Sequence, residues 1–263
     1  MTQTKPDRAH LIAGGFPPGS MGGHDHDHVR LKLLSLLAKR DLPASVANDF
    51  ADVAKWLLVS RLLITYVAGP YPDAAQTAAI RGWLDEGGHW LALHGTSGGR
   101  AQRIEGQRMR RTVKTEHHAL LGSMFLTHPP IREFRVEVAA HHPLTRGLGS
   151  SFTIEDEPYF IELQDSAGSE ILLTTEYGPS AARATDGLYE KDTSLLPDGK
   201  TRVIAYTRRI GQGRVTYCAL GHCHNPAIRA ARTNADPADR TPPTSRAPWE
   251  NAAFLTFLRN AIG

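Results

Sequence analysis

Short apolar runs alternate with helix-spaced segments through the first hundred residues. "HLIAGG" (10–15) is apolar throughout and closes on glycines, which predicts a buried strand. Val29–Lys39 carries apolar residues at 29, 31, 33, 34, 36 and 37, the spacing of an amphipathic helix. "PASVAND" (43–49) predicts a second strand, "FADVAKWLLV" (50–59) a short helix and "SRLLITYVAG" (60–69) a third strand. "DAAQTAAIRGWLDEGG" (73–88) is Ala-rich, helical in spacing and stopped by paired glycines. "HWLALHGTSGG" (89–99) then predicts a strand that runs into a Gly/Ser/Thr turn. Alternating strands and helices, with strands apolar along their whole length, predict an α/β fold with a doubly wound, mostly parallel sheet.

The second half favours strands. "REFRVEVAA" (132–140) alternates as a half-exposed strand does. Segments 151–163, 169–178, 201–213 and 213–222 read as further strands, with a hairpin turn at Gly211–Gly213. Residues 225–248, rich in Pro, Arg, Thr and Ala, predict a long surface loop, and 249–263 a closing helix. No repeat or linker divides the chain, so the 263 residues are read as one domain.

Composition narrows the class. Hydrophobic residues make up 41% and charged residues 22%, the balance of a globular protein. The net charge of +3 carries no clustered basic footprint, so no nucleic-acid partner is expected. No apolar run approaches the length of a membrane span, and the start of the chain lacks the apolar core of a secretory signal. Two cysteines, Cys218 and Cys223, are too few for a disulfide framework and fit a reducing, cytoplasmic setting.

Four polar clusters sit at the ends of these runs: His24-Asp25-His26-Asp27-His28, His94-Gly95-Thr96-Ser97, Glu155-Asp156-Glu157-Pro158-Tyr159, and Gly221-His222-Cys223-His224-Asn225. In open α/β sheets the carboxyl ends of parallel strands line the ligand crevice, so residues far apart in sequence can meet there. His94 and His222 each follow an apolar run. Two imidazoles and a carboxylate with an open position make a common divalent-metal site, and Glu157 is the natural carboxylate. Strand alternation would point Glu155 and Glu157 to one face, leaving Glu155 and Asp156 as competitors. His24 and His26 are further candidate ligands, while Asp25 and Asp27 suit the positive end of the following helix.

Other features carry weaker chemistry. "GTSGG" matches the G-x-S-x-G pattern at Ser97, which keeps a serine hydrolase as an alternative. The arginines of 100–114 read as a solvated face or an anion contact. Cys223 is either a thiolate or a buried, inert thiol.

"GGHDHD" (22–27), "GGHWLALHG" (87–95), "HPLTRGLGSSFTIEDEPYF" (142–160) and "GQGRVTYCALGH" (211–222), in this order, resemble the ThuA-like family of trehalose-utilisation proteins. The resemblance implies a flavodoxin-like, class I glutamine amidotransferase-like fold. His94 then stands where an amidotransferase of that fold has its nucleophilic cysteine, which argues against glutaminase chemistry. The resemblance also implies a shared polar pocket of His94, Glu157 and His222. Two departures stand out: Cys223 and His224 where the family often has an acidic residue, and the Arg/Pro-rich stretch at 225–248.

The reading that follows is a carbohydrate-utilisation protein acting on a sugar or keto-sugar. Its catalytic group would be His94, Glu157, His222 and Tyr159, with a divalent ion, zinc or similar, on His94, Glu157, His222, His24 and His26. No nucleotide cofactor is expected. A small carbohydrate ligand and a homo-oligomer are. The alternative from another class is a sugar-binding or regulatory module without turnover.

Overall fold

Nine strands join in one sheet in the computed structural model, which describes residues 7–15, 23–103, 110–177, 192–227 and 243–263. In chain order the elements are β1 (Ala9–Gly15), α1 (His26–Ala38), β2 (Ala44–Ala47), α2 (Val53–Leu57), β3 (Leu62–Ala68), α3 (Ala74–Asp85), β4 (His89–Leu93), β5 (Ala101–Arg103), β6 (Arg110–Thr112), α4 (Glu116–Leu121), β7 (Ser123–Thr127), β8 (Arg132–Val138), β9 (Ser151–Asp156), β10 (Phe160–Leu163), β11 (Ser169–Glu176), β12 (Thr201–Ile210), β13 (Gly213–Cys218) and α5 (Ala252–Ile262). The sheet order is β2-β1-β3-β4-β13-β12-β11-β8-β9, and β10-β7 and β5-β6 form separate two-stranded ribbons.

The sheet is mixed. From β2 to β13 every pairing is parallel, and from β13 to β9 every pairing is antiparallel. The parallel half is the α/β unit that the alternating pattern predicts. The antiparallel half corresponds to the strand-rich second part of the sequence.

Side chains of the parallel strands alternate between two cores. Leu11, Leu62, Ile64, Leu91 and Leu93 face α1 and α5, packing with Val29, Leu33, Leu37, Phe254, Phe257 and Leu258. Ile12, Leu63, Val67, Trp90 and Ala92 face the other side, with Val53 and Leu57 of α2, Ile80, Trp83 and Leu84 of α3, and Leu120 and Leu121 of α4. Both faces are covered, which is why these strands read as unbroken apolar runs. The capping chemistry is local. Asp25 accepts from the His28 amide at the start of α1, Asp73 and Gln76 form a reciprocal capping box on α3, and Asn251 caps α5.

Several expectations need correction. Segment 151–163 is two strands, because Pro158 has no N–H to continue the ladder and Glu157-Pro158-Tyr159 turns between β9 and β10. Segment 89–99 is, as expected, a strand that runs into a turn, with β4 ending at Leu93 and His94–Ser97 forming a 3₁₀ turn. The helix expected from Val29 starts at His26, so the His/Asp run enters its first turn. The hairpin loop is shorter than expected, Gly211 and Gln212 joining the paired Ile210 and Gly213. The pattern also missed α4 and β7. Of the expected loop at 225–248, residues 228–242 lie outside the described residues, as do 104–109 of the arginine-rich segment.

Among the described residues, no helix is long and apolar enough to cross a membrane.

Candidate functional site

The carboxyl ends of β1, β4, β9 and β13 meet over the edge of the sheet. β9 stands four places from β13 in strand order, yet alternating antiparallel pairings bring it back to the direction of β13. Its last residue, Asp156, accepts hydrogen bonds from the amides of Gly221 (2.7 Å) and His222 (3.0 Å), and also from Glu157 (2.7 Å). Gly221, at φ 119°, turns the chain after β13, and its carbonyl accepts from the Tyr66 hydroxyl (2.9 Å) and the Trp249 indole (2.8 Å). His222 and Glu157 are thereby fixed next to each other.

His94 is held from the other side. Its φ of 42° lies in the left-handed region, rare for a residue with a Cβ. Such a conformation costs ~1–3 kcal/mol and persists only where its surroundings impose it. Here Leu91 and Leu93, wholly buried just before it, contribute ~1.5–3 kcal/mol each, enough to outweigh that strain. Gly95 completes the turn. A Cβ there would stand 2.5 Å from the Val67 carbonyl oxygen, so the backbone approaches β3 more closely than any side chain allows.

The result is a compact group of donors. One ligand-type atom from each of His24, His94, Glu157 and His222 lies within 4.8 Å of all the others, and all four residues are buried. Glu157 Oε2 is 3.1 Å from His222 Nδ1 and 3.7 Å from His94 Nε2. Two ligands on a tetrahedral ion with bonds of about 2.0–2.1 Å would be about 3.3 Å apart, so these gaps already match one shared ion. The ring of His24 lies 5.1 Å from those of both His94 and His222.

An outer contact sets the tautomer of His94. His94 Nδ1 is 2.7 Å from the Ala219 carbonyl, which can only accept, so Nδ1 carries the proton and Nε2 presents its lone pair to the site. That Nε2 is buried without a hydrogen-bond partner. His222 Nε2 meets His224 Nδ1 at 2.8 Å, leaving Nδ1 for Glu157.

The electrostatics agree with this donor set. Burial, then the neighbouring imidazoles, holds His24 well below the ordinary histidine range. Burial likewise lowers His94, against the opposing pull of Glu157. Burial alone would raise the Glu157 carboxyl, but the His222 and His128 imidazoles and the contacts from His222 and His94 hold it well below the usual carboxylate range. An ionised Glu157 is the form a cation requires, and a bound cation would take the place of the protons on the facing imidazoles.

Tyr159 roofs the group. Its ring stacks on His94 with centroids 3.8 Å apart, and its hydroxyl is 3.4 Å from His24 Nε2. Burial pushes this phenol well above its ordinary value, so it remains a donor. His128 was not expected. It follows β7, its Nδ1 is 3.1 Å from Glu157 Oε1, and its side chain is 36% exposed, making it the rim of the pocket. The sequence signal for it was the apolar run "MFLT" (124–127) followed by His128, as "WLAL" (90–93) is followed by His94.

The structure brings His24, His94, Glu157, His222 and Tyr159 together and leaves other candidates out. His26 sits on the first turn of α1, 6.0 Å ring to ring from His24 and edge-on to Tyr66, outside the group of four. Glu155 is exposed and paired with Glu133 in the ladder, so the face-sharing expectation fails, since Glu157 lies beyond the strand end. Asp156 braces the backbone rather than joining the donors. Ser97 is buried, its hydroxyl 2.7 Å from that of Tyr217 and 3.4 Å from the His94 carbonyl, and the strained position belongs to His94. A nucleophile-elbow serine is not what this turn presents. Burial pushes the Cys223 thiol up to about 12, and its Sγ faces the Asp25 carbonyl, so it is neither thiolate nor nucleophile.

The family model ThuA, described as trehalose utilisation, matches residues 21–233. The chain belongs to the ThuA family. A protein described as ThuA-like from Bacteroides uniformis shares the fold at a TM-score of 0.58 and 17% identity, over 84% of each chain. A second ThuA-like protein, from Parabacteroides merdae, aligns at a TM-score of 0.52 and 14% identity, over 92% of this chain and 97% of the other. A protein from Thermoplasma acidophilum described as part of a GMP synthase aligns at a TM-score of 0.51 and 11% identity, over 99% of this chain and 94% of the other. The amidotransferase-like fold expected for a ThuA protein is therefore observed, with a histidine at the turn after β4. No curated protein matches the sequence.

Proposed function

We propose that this ThuA-family chain is a carbohydrate-utilisation protein that acts on a sugar or keto-sugar in the His/Glu pocket, with a divalent ion held by His24, His94, Glu157 and His222. The observation that carries the reading is the convergence of four donors from four chain segments within 4.8 Å, all buried. The residues fit such an ion: three imidazoles and one carboxylate are a zinc-type donor set, and the lone pair of His94 Nε2 has no other partner. A bound divalent ion supplies Lewis-acid polarisation of a carbonyl or hydroxyl oxygen. The protein's own groups would do the rest. Tyr159, kept protonated by burial, donates to a substrate oxygen above His94. His128, at the rim and in contact with Glu157, is placed to exchange a proton between substrate and solvent. The sugar class rests on the family description, and two free, buried thiols support a reducing, cytoplasmic setting.

The test is metal analysis of untagged protein, paired with turnover assays on disaccharides and their keto derivatives. One ion per chain is expected, lost in the double variant H94A/H222A, together with metal-dependent conversion of one sugar class. Protein that retains no ion after incubation with zinc, manganese or nickel would overturn the metal centre. Sugar binding without turnover would make the pocket a binding module.

A further inference from the structure

At the end of the parallel strands opposite the His/Glu pocket, a cleft of about 700 Å³ opens beside the amino ends of β4 and β13. Its size is that of a small-molecule site. His89 begins β4 and His94 follows its end, so at ~3.3 Å per residue the two sites are ~17 Å apart. Arg61, Arg208, Arg209 and Arg214 line the cleft, with His89 and a single carboxylate, Glu170.

Strand register gathers Arg209, Arg214 and Arg61, whereas Arg208, the alternate residue on β12, turns its guanidinium to the Ala119 carbonyl of α4 at 3.0 Å. Arg209 and Arg214 are direct partners across the β12–β13 hairpin, and Arg214 is level with His89 on β4. The His89 amide donates to the Arg61 carbonyl at 2.9 Å, which brings the start of β3 alongside. Like charges directly opposite one another destabilise an antiparallel pair, so this arrangement works against the fold unless something else neutralises it. Arg61 pairs with Asp7, and Arg208 with Asp165 at 3.3 Å. Among the described residues, no carboxylate pairs with Arg209 or Arg214.

We propose that this cleft binds a small phosphate-bearing molecule. Several guanidiniums in a concave site focus a positive field, and their planar forks match phosphate oxygens two at a time. The floor is polar as well: His89 Nε2 is 3.1 Å from the Thr216 hydroxyl, and the Thr207 hydroxyl donates to the Val215 carbonyl at 3.0 Å. Burial, then Arg214 and Arg61, holds His89 down at about 3, so at neutral pH His89 adds no charge to that of the guanidiniums. Glu170 at the margin favours a ligand that also offers hydroxyl donors, as a phosphate ester of a polyol does. The site is independent of the metal pocket.

Calorimetric titration with inorganic pyrophosphate at about 0.15 M salt tests it. Saturable one-to-one binding is expected, weakened about tenfold or more in R209Q/R214Q and unchanged in R259Q, whose arginine on α5 does not line the cleft. Without ligand, R209Q/R214Q should unfold at the same or a higher temperature, because the repulsion is relieved. Absence of saturable binding, or equal weakening in R259Q, would overturn the proposal. So would a clear fall in the unfolding temperature of ligand-free R209Q/R214Q, which would make these arginines structural.

Discussion

Asp156, the last residue of β9, receives the backbone N–H of His222 at 3.0 Å, although the strands that precede them stand four places apart in the sheet. This contact closes the antiparallel half of the sheet onto the parallel half. It also places the carboxylate of Glu157 against the imidazole of His222, from a distant part of the sequence.

Asp156→Asn tests that brace. The carboxylate accepts from three amides, whereas an asparagine has one acceptor oxygen and would turn its NH₂ toward a donor. Leaving buried donors unmatched costs ~1–3 kcal/mol, so the variant should unfold at lower denaturant. Displaced ligands should also weaken metal affinity ~10–100-fold. Denaturation and metal titration measure both. A variant with unchanged metal affinity would show that Asp156 serves stability alone.

Asp25→Ala separates the two roles of the His/Asp run. Asp25 caps α1 through the His28 amide at 3.1 Å and meets Asn225 at 3.0 Å and Arg246 at 3.2 Å, while its neighbour His24 belongs to the donor group. Loss of the cap should cost ~1 kcal/mol in chemical denaturation. The loop contacts go with it, so metal affinity should fall as well. An unchanged affinity would show that His24 is positioned without the cap.

Stability should fall steeply in acid. Burial lowers His89 and His117 from 6.5 to about 3. The unfolded chain takes up these protons below pH 6.5, while the fold resists doing so until about pH 3. Their contribution is therefore fully present above pH 6.5 and is lost progressively as pH falls toward 3. Each can remove up to ~1.4 kcal/mol per pH unit in that window. Against a typical total of ~5–15 kcal/mol, unfolding is expected well above pH 3. Unfolding temperatures measured from about pH 7.5 to about pH 4.5 check this, and H89Q, which can keep the bond to Thr216, should flatten the profile. A flat profile in the parent chain would contradict the burial argument.

Much of the parallel half was legible in the sequence. "SRLLITYVAG" and the "HWLAL" of 89–93 announce β3 and β4 because strands covered on both faces need apolar residues at every position, and Asp25, Asp73 and Asn251 cap helices by contacts within three residues. The polar residues at the ends of β1, β4 and β13 could be named because parallel strands share a carboxyl edge. Periodicity reports only local burial, however. It could not break 151–163 at Pro158, find β7 or the His128 that follows it, or choose between Glu155, Asp156 and Glu157. Those outcomes depend on which strands pair across long separations and on the direction each returns. That pairing turns Asp156 into a backbone brace, puts Glu157 among three imidazoles, and stacks Arg209 against Arg214 at the far end of the same sheet. The residue types were fixed by the chain. Their neighbours were fixed by hydrogen-bond register between distant strands, which no local pattern encodes.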